Sequence, residues 1–183
     1  QGRISTAHFC DVIRVNLLAR CGGLWIDATV FVSGGIPQDI FARPFYSIRD
    51  GKSRYNISNG RWTTFLLASQ GSVLMAFLSR MYEAYWEREN EVLDYFLFDY
   101  LIEFAYRNNL AVRNEIDAVP LNNRCVHDLQ PALMQHFDPE QIGLMLESGL
   151  FFKLTYKFNR NKNAERLLHV LAEYNRSFGT KSM

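Results

Sequence analysis

Two adjacent glycines, Gly22 and Gly23, limit how this chain can fold more than any other residues. Glycine takes left-handed backbone without steric cost and weakens a helix interior, so the pair ends any helix that precedes it. Leu24, Trp25 and Ile26 follow at once, and Val30, Phe31 and Val32 come shortly after. Bulky and β-branched side chains of this kind favour a buried strand, and one strand over Leu24–Val32 is predicted. Asp27 falls inside that apolar run, where a lone charge is costly. These residues allow two readings. Asp27 is an acid that a strand end delivers to a site, or it is a turn aspartate that follows a short strand.

The rest of the pattern is built around this break. Ser5 or Thr6 can cap a helix over Ala7–Arg20, with Val12, Ile13, Leu17 and Leu18 as its apolar stripe. Asp11 and Arg14 are three apart on that helix and share a face. Taken alone, the pair reads more simply as a solvated ion pair of little energetic value. Further strands are predicted over Phe45–Ile48 and Arg61–Ser69, separated by a polar, mobile loop over Arg49–Gly60. Two helices follow, over Val73–Glu89 and Val92–Arg107. Their aromatic stripe is read as core, and Asp94 and Asp99 as acids that interrupt it. The stretch Asn108–Pro131 is read as irregular, and its adjacent His127 and Asp128 as loop residues. A helix over Pro139–Glu147, a strand over Leu150–Lys157 carrying Lys153 and Lys157 near its end, and a helix over Ala164–Tyr174 complete the chain. Strands alternating with helices predict an α/β sandwich.

Composition excludes several functions. A chain of 183 residues with 48% hydrophobic content can build a real core. A net charge of +1 gives no field to attract nucleic acid. No apolar run approaches the roughly 18 residues of a membrane span, and no signal peptide is visible. Cys10, Cys21 and Cys125 fit neither a disulfide framework nor a zinc spacing, so a reducing cytoplasm is expected. The chain opens on Gln1, almost directly into a helix, as a piece of a longer protein would.

The stretch His8 to Arg14, followed by Gly22 to Val30, resembles the capsular polysaccharide synthesis family of sugar transferases. That family is similar to glycosyltransferases with a DXD region, such as the yeast mannosyltransferase type and the large clostridial glucosylating toxins. The shared features are a helix with Asp-x-x-Arg, a Gly-Gly break and a strand ending in Asp-x-Asp. Trp62, Tyr85-Trp86, the segment Leu93 to Phe96, and Lys153 to Lys157 extend the resemblance more weakly. It implies an α/β fold of GT-A-like, Rossmann-related α/β/α sandwich type, lacking its N-terminal nucleotide-binding strand-helix-strand unit. Residues 1–183 would form a single glycosyltransferase domain. The activity implied is transfer of a hexose from a nucleotide sugar to a glycan hydroxyl in bacterial capsule or surface-polysaccharide synthesis, with the configuration retained.

The same resemblance carries roles onto residues. Asp11, Arg14 and Asp27 would be catalytic and would converge on one cleft. Asp11, Arg14, Gly23, Asp27, Thr29, Lys153 and Lys157 would bind the donor. Asp27, with Thr29 as a weak ligand, would hold Mn2+ or Mg2+. Trp62 and Asp94 would lie on the acceptor side. Thr29 stands where a second acid is usual, which leaves the metal weakly held until a nucleotide diphosphate adds oxygen ligands, or absent, with Lys153 and Lys157 neutralising the diphosphate instead. Expected partners are a nucleotide-sugar donor and an oligosaccharide or lipid-linked glycan acceptor. Nucleic acid is not expected; the location is cytoplasmic, peripheral to the inner membrane. Arg14→Lys is expected to leave the melting point within a few degrees and to slow transfer. The rival readings are a non-catalytic glycan-binding protein derived from a transferase, and a hydrolase using Asp27 with Asp94.

Overall fold

A computed structural model describes residues 4–52, 57–158 and 161–181 of the chain. In order, its elements are α1 (Thr6–Cys21), β1 (Gly23–Ile26), β2 (Val30–Val32), α2 (Asp39–Ala42), β3 (Phe45–Ser47), β4 (Leu66–Ser69), α3 (Val73–Arg88), α4 (Leu97–Asn108), α5 (Leu110–Asp117), α6 (Pro139–Ser148), β5 (Phe151–Lys153) and α7 (Lys162–Lys181). The chain is therefore mixed α/β. Its strands pair antiparallel in two small sheets, one ordered β1-β4-β3 and the other β2-β5. Among the described residues no helix is long and apolar enough to cross a membrane.

The chain gathers into two compact units. The first comprises Gln1–Ile26 and Pro37–Asn122, and the second Asp27–Ile36 and Asn123–Met183. In the first unit Ser5 caps α1 by accepting from the His8 N–H. Gly22 ends α1 at φ 67°, and a Cβ there would stand 2.8 Å from the Ser69 carbonyl oxygen. The Gly-Gly break is thus required both by backbone handedness and by the close approach of β4. The central strand β4 is buried at all four positions. Helix α1 packs on α3 and on β1, and α2 also packs on β4.

The strand predicted over Leu24–Val32 is two strands in two units. The Val30 N–H donates to the Asp27 carbonyl at 2.9 Å, closing a turn through Ala28 and Thr29. That turn separates β1 from β2. Other boundaries move for local reasons. Asp94 Oδ1 accepts from the Phe96 N–H at 2.7 Å, so the helix predicted from Val92 begins only at Leu97. Asn109 caps α5 by accepting from Ala111 and Val112, where an irregular stretch was expected. The loop expected over Arg49–Gly60 is tied at its base, Gly51 N–H to Gly60 carbonyl at 3.2 Å. Its residues 53–56 lie outside the described residues.

In the second unit, β2 and β5 pair with Val30 opposite Lys153 and Val32 opposite Phe151. Beneath them Leu133, Leu146, Phe152, Leu167 and Leu171 belong to one apolar core. Asp138 caps α6, with Pro139 in its first turn. The predicted strand over Leu150–Lys157 is reduced to three ladder residues.

Candidate functional site

Each unit holds one cluster of the residues singled out by sequence. In the first, Asp11 and Arg14 are paired at 3.0 Å between Oδ1 and a terminal guanidinium nitrogen. The pair is not a solvated one, since the side chains are only 14% and 7% exposed. The Arg14 guanidinium also donates to the Thr64 carbonyl. It lies 5.3 Å from the ring centroids of both Trp25 and Phe98. A planar cation between two aromatic faces gains from the quadrupole of each ring.

Asp99 and Tyr82 lie within electrostatic reach of this pair, and the sequence assigns a site role to neither. The Trp62 indole donates to Asp99 Oδ1 at 2.9 Å. Burial pushes the Asp99 carboxyl above its usual range, against the opposing effects of the Trp62 hydrogen bond and the Arg14 charge. Tyr82 is fully buried, and burial, then the Asp11 charge, push its hydroxyl strongly upward, so it stays neutral. The signal for Asp99 was its place in an otherwise apolar helical pattern; that signal does not distinguish a surface acid from one turned inward. Trp62, expected on the acceptor side, is 1% exposed. An indole with no free face cannot stack against an acceptor, so its role is in the core. Asp94, expected beside it, spends its carboxylate on the start of α4. A hollow of about 560 Å³ in this unit is lined by residues that include Met81, Tyr85, Arg88 and Leu93, and none of the Asp11 cluster lines it.

In the second unit the turn at Asp27 meets the end of β5. Lys153 Nζ stands 3.5 Å from Asp27 Oδ2 and donates to the Thr29 hydroxyl. Their backbone is fixed around them: Leu154 N–H donates to the Thr29 carbonyl at 2.8 Å, and Lys153 N–H to the Val126 carbonyl at 2.7 Å. Asp27 and Lys153 keep 29% and 22% side-chain exposure, enough to meet a ligand. A cavity of about 400 Å³ begins at Thr29 and runs over Phe31, Leu154, Tyr156, Phe158 and Leu171. Lys157 does not join this group; it is exposed, with Nζ 5.8 Å from the Tyr156 ring centroid. Gly23, in the first unit, has φ 95°, which explains the glycine, and a Cβ there would meet nothing within 4 Å.

The fit to a divalent cation is poor. Magnesium and manganese want several oxygen ligands, mostly carboxylates and waters. The turn offers one carboxylate and one neutral hydroxyl, and both already face the Lys153 ammonium. Among the described residues no group of three or more His, Cys, Asp or Glu could hold a metal ion.

No curated protein and no solved structure matches the chain. A family model does. The model described as capsular polysaccharide synthesis protein matches residues 1–173, and the chain therefore belongs to that family.

Proposed function

We propose that this chain is a nucleotide-sugar-dependent hexosyltransferase of GT-A-like type acting in capsular or surface-polysaccharide synthesis. Membership of the capsular polysaccharide synthesis family supports the pathway. The observation that carries the chemistry is the partly exposed Lys153 ammonium, held by Asp27 and by Thr29, the latter of which lines a cavity. A nucleotide diphosphate is the leaving group such a cation suits. In the reaction, the bond from the anomeric carbon to the diphosphate oxygen breaks and leaves its electron pair on that oxygen. The acceptor hydroxyl oxygen bonds to the anomeric carbon with retained configuration, and its proton goes to the departing diphosphate. A fixed cation facing the growing charge lowers the barrier more than solvent would. An oligosaccharide or lipid-linked glycan is the acceptor.

The test is a panel of UDP- and GDP-hexoses incubated with the chain, with and without acceptor, scored for released nucleotide diphosphate. Turnover of at least one donor, lost in Lys153→Met, is the expected result. A folded chain that turns over none of them refutes the reading. A second reading, a glycan-binding protein without transferase activity, is favoured by one observation: the Arg14 guanidinium is already engaged by Thr64, Trp25 and Phe98 and is 6% exposed. Glycan binding without donor turnover in the same panel would select it.

A further inference from the structure

We infer that the Lys153 ammonium takes the place of a divalent cation, so that the chain holds the diphosphate of its donor without a metal. The inference rests on the nucleotide-sugar reading and adds what neutralises the diphosphate. Asp27 and Thr29 flank Ala28 on a closed turn, and the oxygens of both face one ammonium nitrogen. The root of that side chain is fixed beside the turn, since Lys153 sits opposite Val30 in the β2-β5 ladder. A divalent ion on the same two oxygens would lie within a few ångströms of the ammonium charge, and the two cations would repel.

Charge balance points the same way. Two carboxylates holding a divalent ion are neutral together. One carboxylate holding one ammonium is neutral as well. A neutral hydroxyl at Thr29 and a lysine at 153 are thus mutually consistent, whereas Thr29 with a divalent ion would leave the pair of side chains one negative charge short. An ammonium also suits phosphate directly, because it donates charge-assisted hydrogen bonds to the oxygens that a metal would coordinate. Both groups are partly exposed, and the cavity opens beside Thr29, so a diphosphate can reach them.

The two cations make opposite predictions at Asp27. If Asp27 holds a metal, Asp27→Asn removes the metal and the anion with it. If Asp27 only balances Lys153, removing its negative charge leaves anion binding unchanged or stronger. Inorganic pyrophosphate is titrated calorimetrically into the full chain, once in EDTA and once in excess Mn2+, with thermal melts to confirm folding. Expected is equal binding in both buffers, weakened about tenfold or more by Lys153→Met, within about threefold of wild type for Lys153→Arg, and not weakened by Asp27→Asn. Should Lys153→Met fail to fold, the arginine and asparagine variants still decide the matter. Binding of pyrophosphate only with Mn2+, abolished in Asp27→Asn, would overturn the inference and leave the nucleotide-sugar reading standing. If pyrophosphate, UDP and GDP all fail to bind in either buffer, the nucleotide-sugar reading falls, and this inference with it.

Discussion

Replacing Arg14 by lysine keeps the charge and discards the geometry, and the first unit shows what that geometry holds. Lysine can still approach Asp11, now 3.0 Å from the guanidinium. It cannot also donate to the Thr64 carbonyl while lying flat against Trp25 and Phe98. A hydrogen bond from a charged donor contributes about 1.5–3 kcal/mol, and a desolvated cation over a ring up to about 2 kcal/mol. These terms overlap, so a loss of about 2–4 kcal/mol is expected for Arg14→Lys. In a protein of this size that lowers the melting point by roughly 5–15 °C. The sequence alone suggested a shift of only a few degrees, because it did not reveal the burial. Arg14→Met should cost more, about 3–5 kcal/mol, since it removes the opposite charge from beside the Asp11 carboxylate in a largely buried site. Adding Asp11→Asn to Arg14→Met should recover part of that loss. Urea and thermal melts of wild type, Arg14→Met, Asp11→Asn and the double variant close a double-mutant cycle, with Arg14→Lys melted beside them. A melting point for Arg14→Lys within 1 °C of wild type, against the roughly 5–15 °C expected, would mean that the contacts to Thr64, Trp25 and Phe98 do not stabilise the fold. If the fold tolerates Arg14→Lys, a drop in turnover of about tenfold or more at unchanged KM would support its donor contact.

Asp99→Asn should change how stability depends on pH. Burial holds the wild-type carboxyl above its unfolded value, so its contribution is fully present below the unfolded pKa and is lost as pH rises through the folded one. Asparagine keeps an acceptor for Trp62 and does not titrate, so the variant should gain on wild type as pH rises above the ordinary carboxyl value of 3.8 in urea melts; a relative loss as pH rises would contradict the assignment. Glu115→Ala should cost about 1.5–3 kcal/mol, because that carboxylate accepts from Ser72 Oγ at 2.7 Å, Val73 N at 2.8 Å and Leu74 N at 3.2 Å at the start of α3. Circular dichroism melts would show it. Gly149→Ala should destabilise by about 1–3 kcal/mol through overpacking alone, as the added Cβ would collide with Cys125 Sγ and stand 2.6 Å from Asn123 Oδ1. Gly149→Ala combined with Cys125→Ala should relieve part of it.

Helices α1, α3, α6 and α7 were legible from the sequence, but the apolar stripe expected on α1 is only partly the buried one: Leu18 is buried and Leu17 is 49% exposed, with Val15 buried in its stead. The strands were less so. Residue preference identifies Leu24 to Val32 as extended, yet it cannot register that three residues at Asp27-Ala28-Thr29 turn the chain out of one sheet and into another. Helix α5 was missed because it is short and weakly patterned, though Asn109 with Val112 and Ile116 gave a faint signal. At the site, the Asp11–Arg14 pair follows from helical spacing, but its burial depends on Trp25 and Phe98, which lie elsewhere in the chain. Lys153 could be named as a phosphate cation. Nothing local ties it to Thr29, since their contact is made by a ladder between segments far apart in sequence.

That ladder also sets a timetable for synthesis. Strand β2 leaves the ribosome roughly 120 residues ahead of β5, its ladder partner among the described residues. At the usual pace of about 5–20 residues per second, Val30, Phe31 and Val32 wait on the order of 6–24 s as an unpaired apolar edge. The strands and helices of the first unit are complete once Asn122 has emerged, so that unit can close while the segment it encloses in sequence is still waiting. The nascent chain is therefore most exposed to mispairing at Val30–Val32, and a chaperone that binds short extended apolar segments would find its target there and not at either terminus.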